Sequence, residues 1–356
     1  MILNQTFSAD WIKTIAGQFT KPIDLKLLEK VMRALSLLEQ LRLGGLSFVF
    51  KGGTSLVLHF DQPRRLSIDI DIVMAERNST LPALFDAIVE TGLFIRWSDD
   101  SGRKNHQNVP VEHYKFYYES VIGPSAGFGQ ASLGPEPILL DILYAEPDYD
   151  VLIEKPLAHP WLQTTAPYPL VQLPDVNCLL GDKLTAFAPN TTGILYSKKR
   201  PLEVVKQLFD VALLFDHMTD VASVRTTFAR LARQEIDFRG LAISSDDVLG
   251  DVFNTALLLA QRDTKQAQFL FLQDGIKRLN NFIVSDFRLE DAILAGAKAA
   301  YLSRLIRNEP AVVQRYQEPG QVADWQITDL AFNRLNKLKK TSAEAFFYWY
   351  LATSVG

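Results

Sequence analysis

Cysteine is nearly absent from this chain, which has one, Cys178, among 356 residues. A single cysteine excludes an internal disulfide framework and is typical of proteins that work in a reducing compartment. Cys178 lies in the apolar run 176–180 without a histidine nearby. A buried structural thiol is therefore the preferred interpretation, and a nucleophilic role is disfavoured.

Long apolar runs and targeting patterns are also lacking. No stretch approaches the roughly 18 apolar residues of a membrane span. The N-terminal MILNQTFSADWIK does not have the basic-then-apolar layout of a secretory signal. These absences predict a cytoplasmic protein without a membrane partner.

Zinc-ligand spacing and overall basic charge are missing too. None of the five histidines pairs at a spacing such as H-x-x-x-H, which disfavours a zinc site. The net charge is −4 and the pI is about 5.8, so contact with a nucleic acid would have to come from local patches. One such patch, Lys198, Lys199 and Arg200, is either a solvated face or a grip on RNA phosphates.

The most informative stretch that is present is 48–73, FVFKGGTSLVLHFDQPRRLSIDIDIV. Residues 48–50 are typical of a buried strand, Gly52 and Gly53 break it, and residues 54–60 resume with apolar positions at helical spacing. The pattern predicts a strand, a tight turn and a helix. Glycines let a backbone approach a ligand closely, and free N–H groups at a helix start attract phosphates.

Two carboxylates follow this turn. Residues 66–72 alternate strictly, so on a strand Asp69 and Asp71 would project from one face and the isoleucines from the other. Adjacent acids repel each other unless a cation such as Mg²⁺ sits between them. A solvated strand face explains a D-x-D pattern on its own, and the upstream glycine turn favours the cation site.

The segments K-G-G-T-S-L and R-x-S-x-D-I-D-I resemble the AbiEii/AbiGii-type nucleotidyltransferase toxins of the DNA polymerase β-like superfamily. In that superfamily a glycine turn holds the triphosphate, a D-x-D strand binds two metal ions, and a third acid comes from a neighbouring strand. The resemblance implies these roles for Gly52, Gly53, Asp69 and Asp71. It also implies an α+β fold with a polymerase β-like sheet and flanking helices.

The third acid is expected at Asp141, which lies within the apolar strand pattern 138–144. A lone acid there is costly unless it has a cation or a hydrogen-bond donor, although a strand-end residue that reaches water is the alternative. Helices are predicted at 22–43 and 82–90, and further strands at 93–97 and 111–119.

The second half of the chain is dominated by helical patterns, so we predict a nucleotidyltransferase domain at 1–175 and a helical domain at 176–356. Within the latter, Lys183 in GDKLTA, near a helix start, resembles the family lysine that contacts nucleotide phosphates; the alternative is a solvated lysine. Asp210 in KQLFDV matches the family's K-D-L-x-D-L helix, in which Gln207 replaces the first acid. Its alternatives are a solvent-facing acid or a partner of Lys206.

The aromatic run 346–350, FFYWY, is predicted to lie in the hydrophobic core. The alternative is a platform on which nucleic-acid bases stack.

The resemblance predicts an enzyme that uses two Mg²⁺ or Mn²⁺ ions to move a nucleoside monophosphate from an NTP to an acceptor hydroxyl. The acceptor is expected to be RNA such as a tRNA 3′ end, and the protein a toxin of a type IV toxin–antitoxin or abortive-infection (phage defence) system, with its antitoxin encoded nearby. Two alternatives stay open: transfer to a protein or small molecule, and a catalytically silent scaffold. The expected metal ligands are Asp69, Asp71 and Asp141; the expected nucleotide-binding residues are Lys51, Gly52, Gly53, Thr54, Ser67 and Lys183; the expected catalytic residues are the three acids with Lys183 and Asp210.

Overall fold

The chain folds as two compact units whose sequences interleave. The computed structural model describes residues 1–100, 102, 109–123, 134–308 and 312–354. The first unit comprises Met1–Pro147, Leu152–Pro174 and Asn281–Ser285, and the second comprises Asp148–Val151, Asp175–Asn280 and Asp286–Gly356. The predicted domain boundary between residues 175 and 176 stays a prediction.

The first unit is built on one mixed sheet. Its strands are β1 Val49–Lys51, β2 Ile70–Met74, β3 Arg96–Asp99, β4 Val111–Tyr118, β5 Glu136–Tyr144, β6 Leu152–Pro156 and β7 Leu170–Pro174. Their spatial order is β3-β4-β5-β2-β1-β7-β6. The pairs β2–β5 and β1–β7 are parallel and the other neighbours are antiparallel. The sheet and its helices form the predicted α+β fold.

Helices cover one face of this sheet. They are α1 Ala9–Ala16, α2 Leu25–Leu43, α3 Leu56–His59 and α4 Leu81–Glu90. The predicted helix 22–43 is confirmed, but it begins at Leu25 because the Asp24 carboxylate caps it by accepting hydrogen bonds from two backbone N–H groups. Its apolar stripe shares a buried core with alternate residues of the strands, including Phe50, Ile72 and Leu140. The intervening strand residues therefore belong to the opposite face.

Strand β2 is shorter than the alternation at 66–72 predicts. It starts at Ile70 because the preceding backbone is engaged elsewhere. The N–H of Leu66 donates to the carbonyl of Phe282 (2.7 Å), and the N–H of Val284 donates to the carbonyl of Arg64 (3.1 Å). The residues that precede β2 are thus hydrogen-bonded to a segment more than 200 positions away in the sequence.

The described part of the second unit is helical, as predicted. Its helices are α5 Val176–Ala186, α6 Pro201–His217, α7 Val221–Arg239, α8 Ser245–Gln261, α9 Ala267–Leu279, α10 Leu289–Asn308, α11 Leu338–Thr341 and α12 Ala343–Ser354. Helix α12 carries the aromatic run, and Phe346, Phe347, Tyr348 and Trp349 are at most 3% exposed. This confirms the prediction of core for these four residues, and the fifth residue of the run, Tyr350, is half-buried.

The buried thiol is also confirmed. Cys178 has no exposed surface and accepts a hydrogen bond from the hydroxyl of Thr227 (3.2 Å). Burial raises its pKa above the ordinary thiol value, which disfavours the thiolate.

None of the described helices combines the length and the apolar character that a membrane crossing requires.

Candidate active site

A row of four ionisable side chains crosses the centre of the sheet. Lys51 on β1 is the register partner of Asp71 on β2. Asp71 is the partner of Asp141 on β5, which in turn is the partner of His113 on β4. Register partners on neighbouring strands project from the same face. Two carboxylates therefore lie side by side with a basic residue on either flank, on the face opposite α2.

His113 holds the carboxylate of Asp141. Its Nδ1 lies 2.7 Å from Asp141 Oδ1, and because a carboxylate only accepts hydrogen bonds, Nδ1–H is the donor. His113 is 6% exposed, whereas the side chain of Asp141 is 25% exposed and reaches solvent. A buried donor of this kind meets the cost of placing an acid in an apolar strand.

The sequence did not identify His113 as a functional residue. The sequence placed His113 in the predicted strand 111–119. It did not show which residue lies opposite, because the register that pairs His113 with Asp141 is set by strand pairing in the folded sheet.

The glycine turn presses against the acidic strand. Gly52 has φ +76°, a conformation that favours glycine, and a Cβ placed there would fall on the carboxylate of Asp71. A Cβ on Gly53 would meet the guanidinium of Arg65 and would lie 2.8 Å from the hydroxyl of Ser67. Both glycines are thus required for the close approach of the turn to Asp71 and Ser67.

Thr54, the residue after these glycines, connects the turn to Asp69 by a hydrogen bond. Thr54 is fully buried, and its hydroxyl donates to the main-chain carbonyl of Asp69 (2.6 Å). The helix expected at 54–60 is only Leu56–His59, with Thr54 and Ser55 in the turn. The helix therefore begins two residues later than expected, the Thr54 hydroxyl positions Asp69, and phosphate binding at the turn stays a prediction.

The predicted metal ligands have suitable chemistry. Carboxylate oxygens are the ligands that Mg²⁺ and Mn²⁺ prefer, and Asp71 and Asp141 supply them from adjacent positions. Asp69 directly precedes β2 and is half-buried, as is Asp71. Within the described ranges, no group of three or more His, Cys, Asp or Glu side chains is gathered closely enough to form a metal site as it stands. The acids fit a divalent cation by type and by adjacency, and the three-ligand set stays a prediction.

In the second unit, Lys183 and Asp210 form a buried pair. Lys183 Nζ lies 3.2 Å from Asp210 Oδ2 and donates to Gln207 Oε1 (3.2 Å). Lys183 is 6% exposed and Asp210 is 0% exposed, so the alternatives of a solvated lysine and a solvent-facing acid are wrong. Lys206 pairs with Glu203 (2.9 Å), and the alternative of an Asp210–Lys206 pair stays open. The replacement residue Gln207 keeps an oxygen directed at Lys183.

Lys183 lies in the last turn of α5, which corrects the expected position near a helix start. The dipole of α5 therefore does not add positive potential at Lys183, because the C-terminal end of a helix is its negative end. The basic residues Lys198, Lys199 and Arg200 are exposed, and their proposed contact with RNA stays a prediction.

The family model for the nucleotidyl transferase AbiEii toxin of type IV toxin–antitoxin systems matches residues 36–319, which include every predicted site residue. The chain belongs to the AbiEii family. The AbiEii assignment makes it a nucleotidyltransferase, implies an NTP substrate and an antitoxin partner, and supports a toxin role based on nucleotidyl transfer.

No curated protein matches the chain. A solved structure similar to this AbiEii protein is that of a candidate nucleotidyltransferase from H. pylori, with 14% identity and a TM-score of 0.44. The similarity covers 80% of this chain and 97% of the H. pylori chain.

Proposed function

We propose that this AbiEii protein uses Mg²⁺ or Mn²⁺ to transfer a nucleoside monophosphate from an NTP to the hydroxyl of an RNA acceptor such as a tRNA 3′ end. Pyrophosphate is released. The observation that carries the proposal is the adjacency of Asp71 and Asp141 in the sheet, with the Gly52 turn packed against Asp71. We further propose a cytoplasmic toxin that acts in abortive infection and is neutralised by an antitoxin encoded nearby.

Asp69, Asp71 and Asp141 would hold the divalent cations. Bound cations lower the pKa of an attacking hydroxyl and offset the negative charge of a triphosphate. Lys51, the register partner of Asp71, adds a positive charge beside these carboxylates that can offset part of the charge of a triphosphate.

The protein's own groups orient the reactants. The backbone of Gly52 and Gly53 can approach phosphates because neither residue has a side chain, and Ser67 lies beside that turn. Asp141 accepts the proton of the attacking hydroxyl on its carboxylate, and His113 keeps that carboxylate in one orientation. The family resemblance assigns Lys183 to the nucleotide phosphates and Asp210 to the catalytic residues, and both assignments stay predictions.

The direct test is label transfer. Purified protein is incubated with Mg²⁺ and each α-labelled NTP, with and without total tRNA. We expect label on RNA and released pyrophosphate. Label on protein or on a small molecule would favour transfer to that acceptor, and no label with any NTP would favour a silent scaffold.

Variants connect the label to the acids. Asp69→Ala and Asp71→Ala should each abolish transfer without lowering the melting temperature, since both side chains are only half-buried. Full turnover in either variant would show that the metal-ligand assignment is wrong. Growth arrest after induction in a bacterial host, absent in Asp71→Ala, tests the toxin role separately.

A further inference from the structure

A cavity lined by two arginines lies within the helical unit. It has a volume of about 240 Å³. Helix α8 and helix α10 form its walls together with the segment that carries Phe332. Its lining includes Phe253, Asn254, Arg304, Arg307 and Phe332.

Arg304 is positively charged and lacks an acidic partner among the residues that the structure describes. Its guanidinium carbon lies 4.4 Å from the ring centroid of Phe253, and its Nε is buried without a hydrogen-bond partner. A cation–π contact offsets part of the cost of burying Nε, but it does not satisfy the Nε–H donor.

Arg307 adds a second positive charge one helical turn away. Its Nε lies 3.5 Å from Asp246 Oδ2, and its Nη2 donates to the carbonyl of Asp246. The Nε of Arg307 is nevertheless buried without a hydrogen bond. Burial, followed by the charge of Arg307, lowers the pKa of Arg304. Like charges at this helical spacing repel each other, and Asp246 offsets only the charge of Arg307, so Arg304 keeps a positive charge without an acidic partner among the described residues.

We propose that this cavity binds a phosphate-type oxyanion, carried either by a nucleotide or by an RNA backbone, with Arg304 as its principal ligand. A planar guanidinium donates two parallel hydrogen bonds to a phosphate, which a lysine cannot do. The exposed amide of Asn254 supplies a further donor at the rim.

The apolar side of the cavity indicates what accompanies the phosphate. The rings of Phe253 and Phe332 meet edge to face with centroids 5.8 Å apart. Aromatic walls beside a cationic group suit a sugar or base attached to the phosphate. The volume lies below the range of roughly 300–1,000 Å³ for drug-sized ligands, which favours one phosphate with a small attached group over a whole triphosphate.

The first experiment measures phosphate binding to the full-length protein in EDTA. EDTA removes divalent cations that would otherwise let phosphate bind the carboxylates. Inorganic phosphate and a nucleoside monophosphate are titrated by calorimetry at constant ionic strength, with chloride as the control anion. Arg304→Gln should weaken binding at least 10-fold. The matched control is Arg278→Gln on α9, where an exposed arginine pairs with Asp274 (2.8 Å), and it should bind like wild type.

Arg304→Lys provides a second variant that keeps the charge and loses the planar donor geometry. It should bind phosphate more weakly than wild type and more tightly than Arg304→Gln. Equal affinity of wild type, Arg304→Gln and Arg304→Lys would overturn the proposal and leave a water-filled cavity. Equal effects of chloride and phosphate would overturn it as well.

A short single-stranded RNA separates the two sources of phosphate. If the RNA backbone is the ligand, Arg304→Gln should reduce the slope of log Kd against log salt by about 0.7, the value for one phosphate contact on a single strand. If a nucleotide is the ligand, the mononucleotide affinity should fall while the RNA salt slope stays unchanged. If Arg304→Gln changes neither the mononucleotide affinity nor the RNA salt slope, the assignment of Arg304 as a phosphate ligand is refuted. Catalytic transfer is not the readout, so these results are independent of the function proposed for the acids.

Discussion

Replacing Lys183 with alanine should destabilise the helical unit before any effect on nucleotide chemistry is measured. Lys183 Nζ lies 3.2 Å from Asp210 Oδ2, and Asp210 is 0% exposed. Without the lysine, this fully buried carboxylate loses the ion pair with Lys183. Breaking a buried pair in this way costs about 3–5 kcal/mol.

This cost predicts a large thermal shift. For a unit of this size a loss of 1 kcal/mol lowers the melting temperature by about 2–4 °C, so Lys183→Ala should lower it by about 6–20 °C. Lys183→Arg keeps the charge but changes the donor geometry, and its loss should be smaller. Circular dichroism melts of the purified variants measure these shifts.

The double variant Lys183→Met with Asp210→Leu separates stability from chemistry. Removing both charges together should restore most of the lost stability, because apolar pairs often replace buried ion pairs at little cost. A stable double variant that cannot transfer nucleotide would support the assigned role of the pair. A stable double variant with normal transfer and toxicity would make the pair structural. An unchanged melting temperature in Lys183→Ala would refute the burial argument itself.

Four further predictions follow from the first unit. Asp141→Asn should reduce transfer by orders of magnitude without unfolding the protein, as measured by label transfer and melting. His113→Ala should weaken Mn²⁺ binding about 10–100-fold by electron paramagnetic resonance, and His113→Asn should recover part of it; equal binding in both variants and wild type would contradict the positioning role. Gly52→Ala should lower both melting temperature and turnover, since the new Cβ meets Asp71 and the φ of +76° disfavours alanine. Burial lowers the pKa of His159 to about 4, below the ordinary 6.5, so between these pH values the unfolded chain binds more protons than the folded chain. The free energy of unfolding should therefore fall by about 1.4 kcal/mol for each pH unit as the pH is lowered from 6.5 towards 4. Denaturant titrations should show a weaker pH dependence in His159→Gln.

Local sequence patterns were sufficient to predict the elements that depend on side chains within a single segment. Helix α2 follows from its apolar period and its Asp24 cap, and the strand predicted at 138–144 appears as Glu136–Tyr144. The buried aromatic helix α12 follows from apolar residues on all its sides. Each of these predictions depends on side chains within one segment.

Contacts between distant segments were not predictable in the same way. The register that places His113 beside Asp141 is set by pairing across the sheet, and a shift of one residue would reverse both side chains. The Lys183–Asp210 pair likewise depends on how α5 packs against α6, which neither helical pattern specifies. Sequence motifs thus predicted the acids, but not the side chains that contact them.

The pairing of residues 64–66 with 282–284 also determines when this toxin can become complete during its synthesis. Ribosomes release a chain from its N-terminus, and early segments fold first. The residues before the acidic strand must wait for the backbone of Phe282 and Val284, which is made about 220 positions later. A nascent or prematurely terminated chain that carries all three acids would still lack the segment that pairs with the residues before Asp69 and Asp71. A chain that ends before residue 282 therefore cannot form the backbone hydrogen bonds of Arg64 and Leu66 that precede the acidic strand.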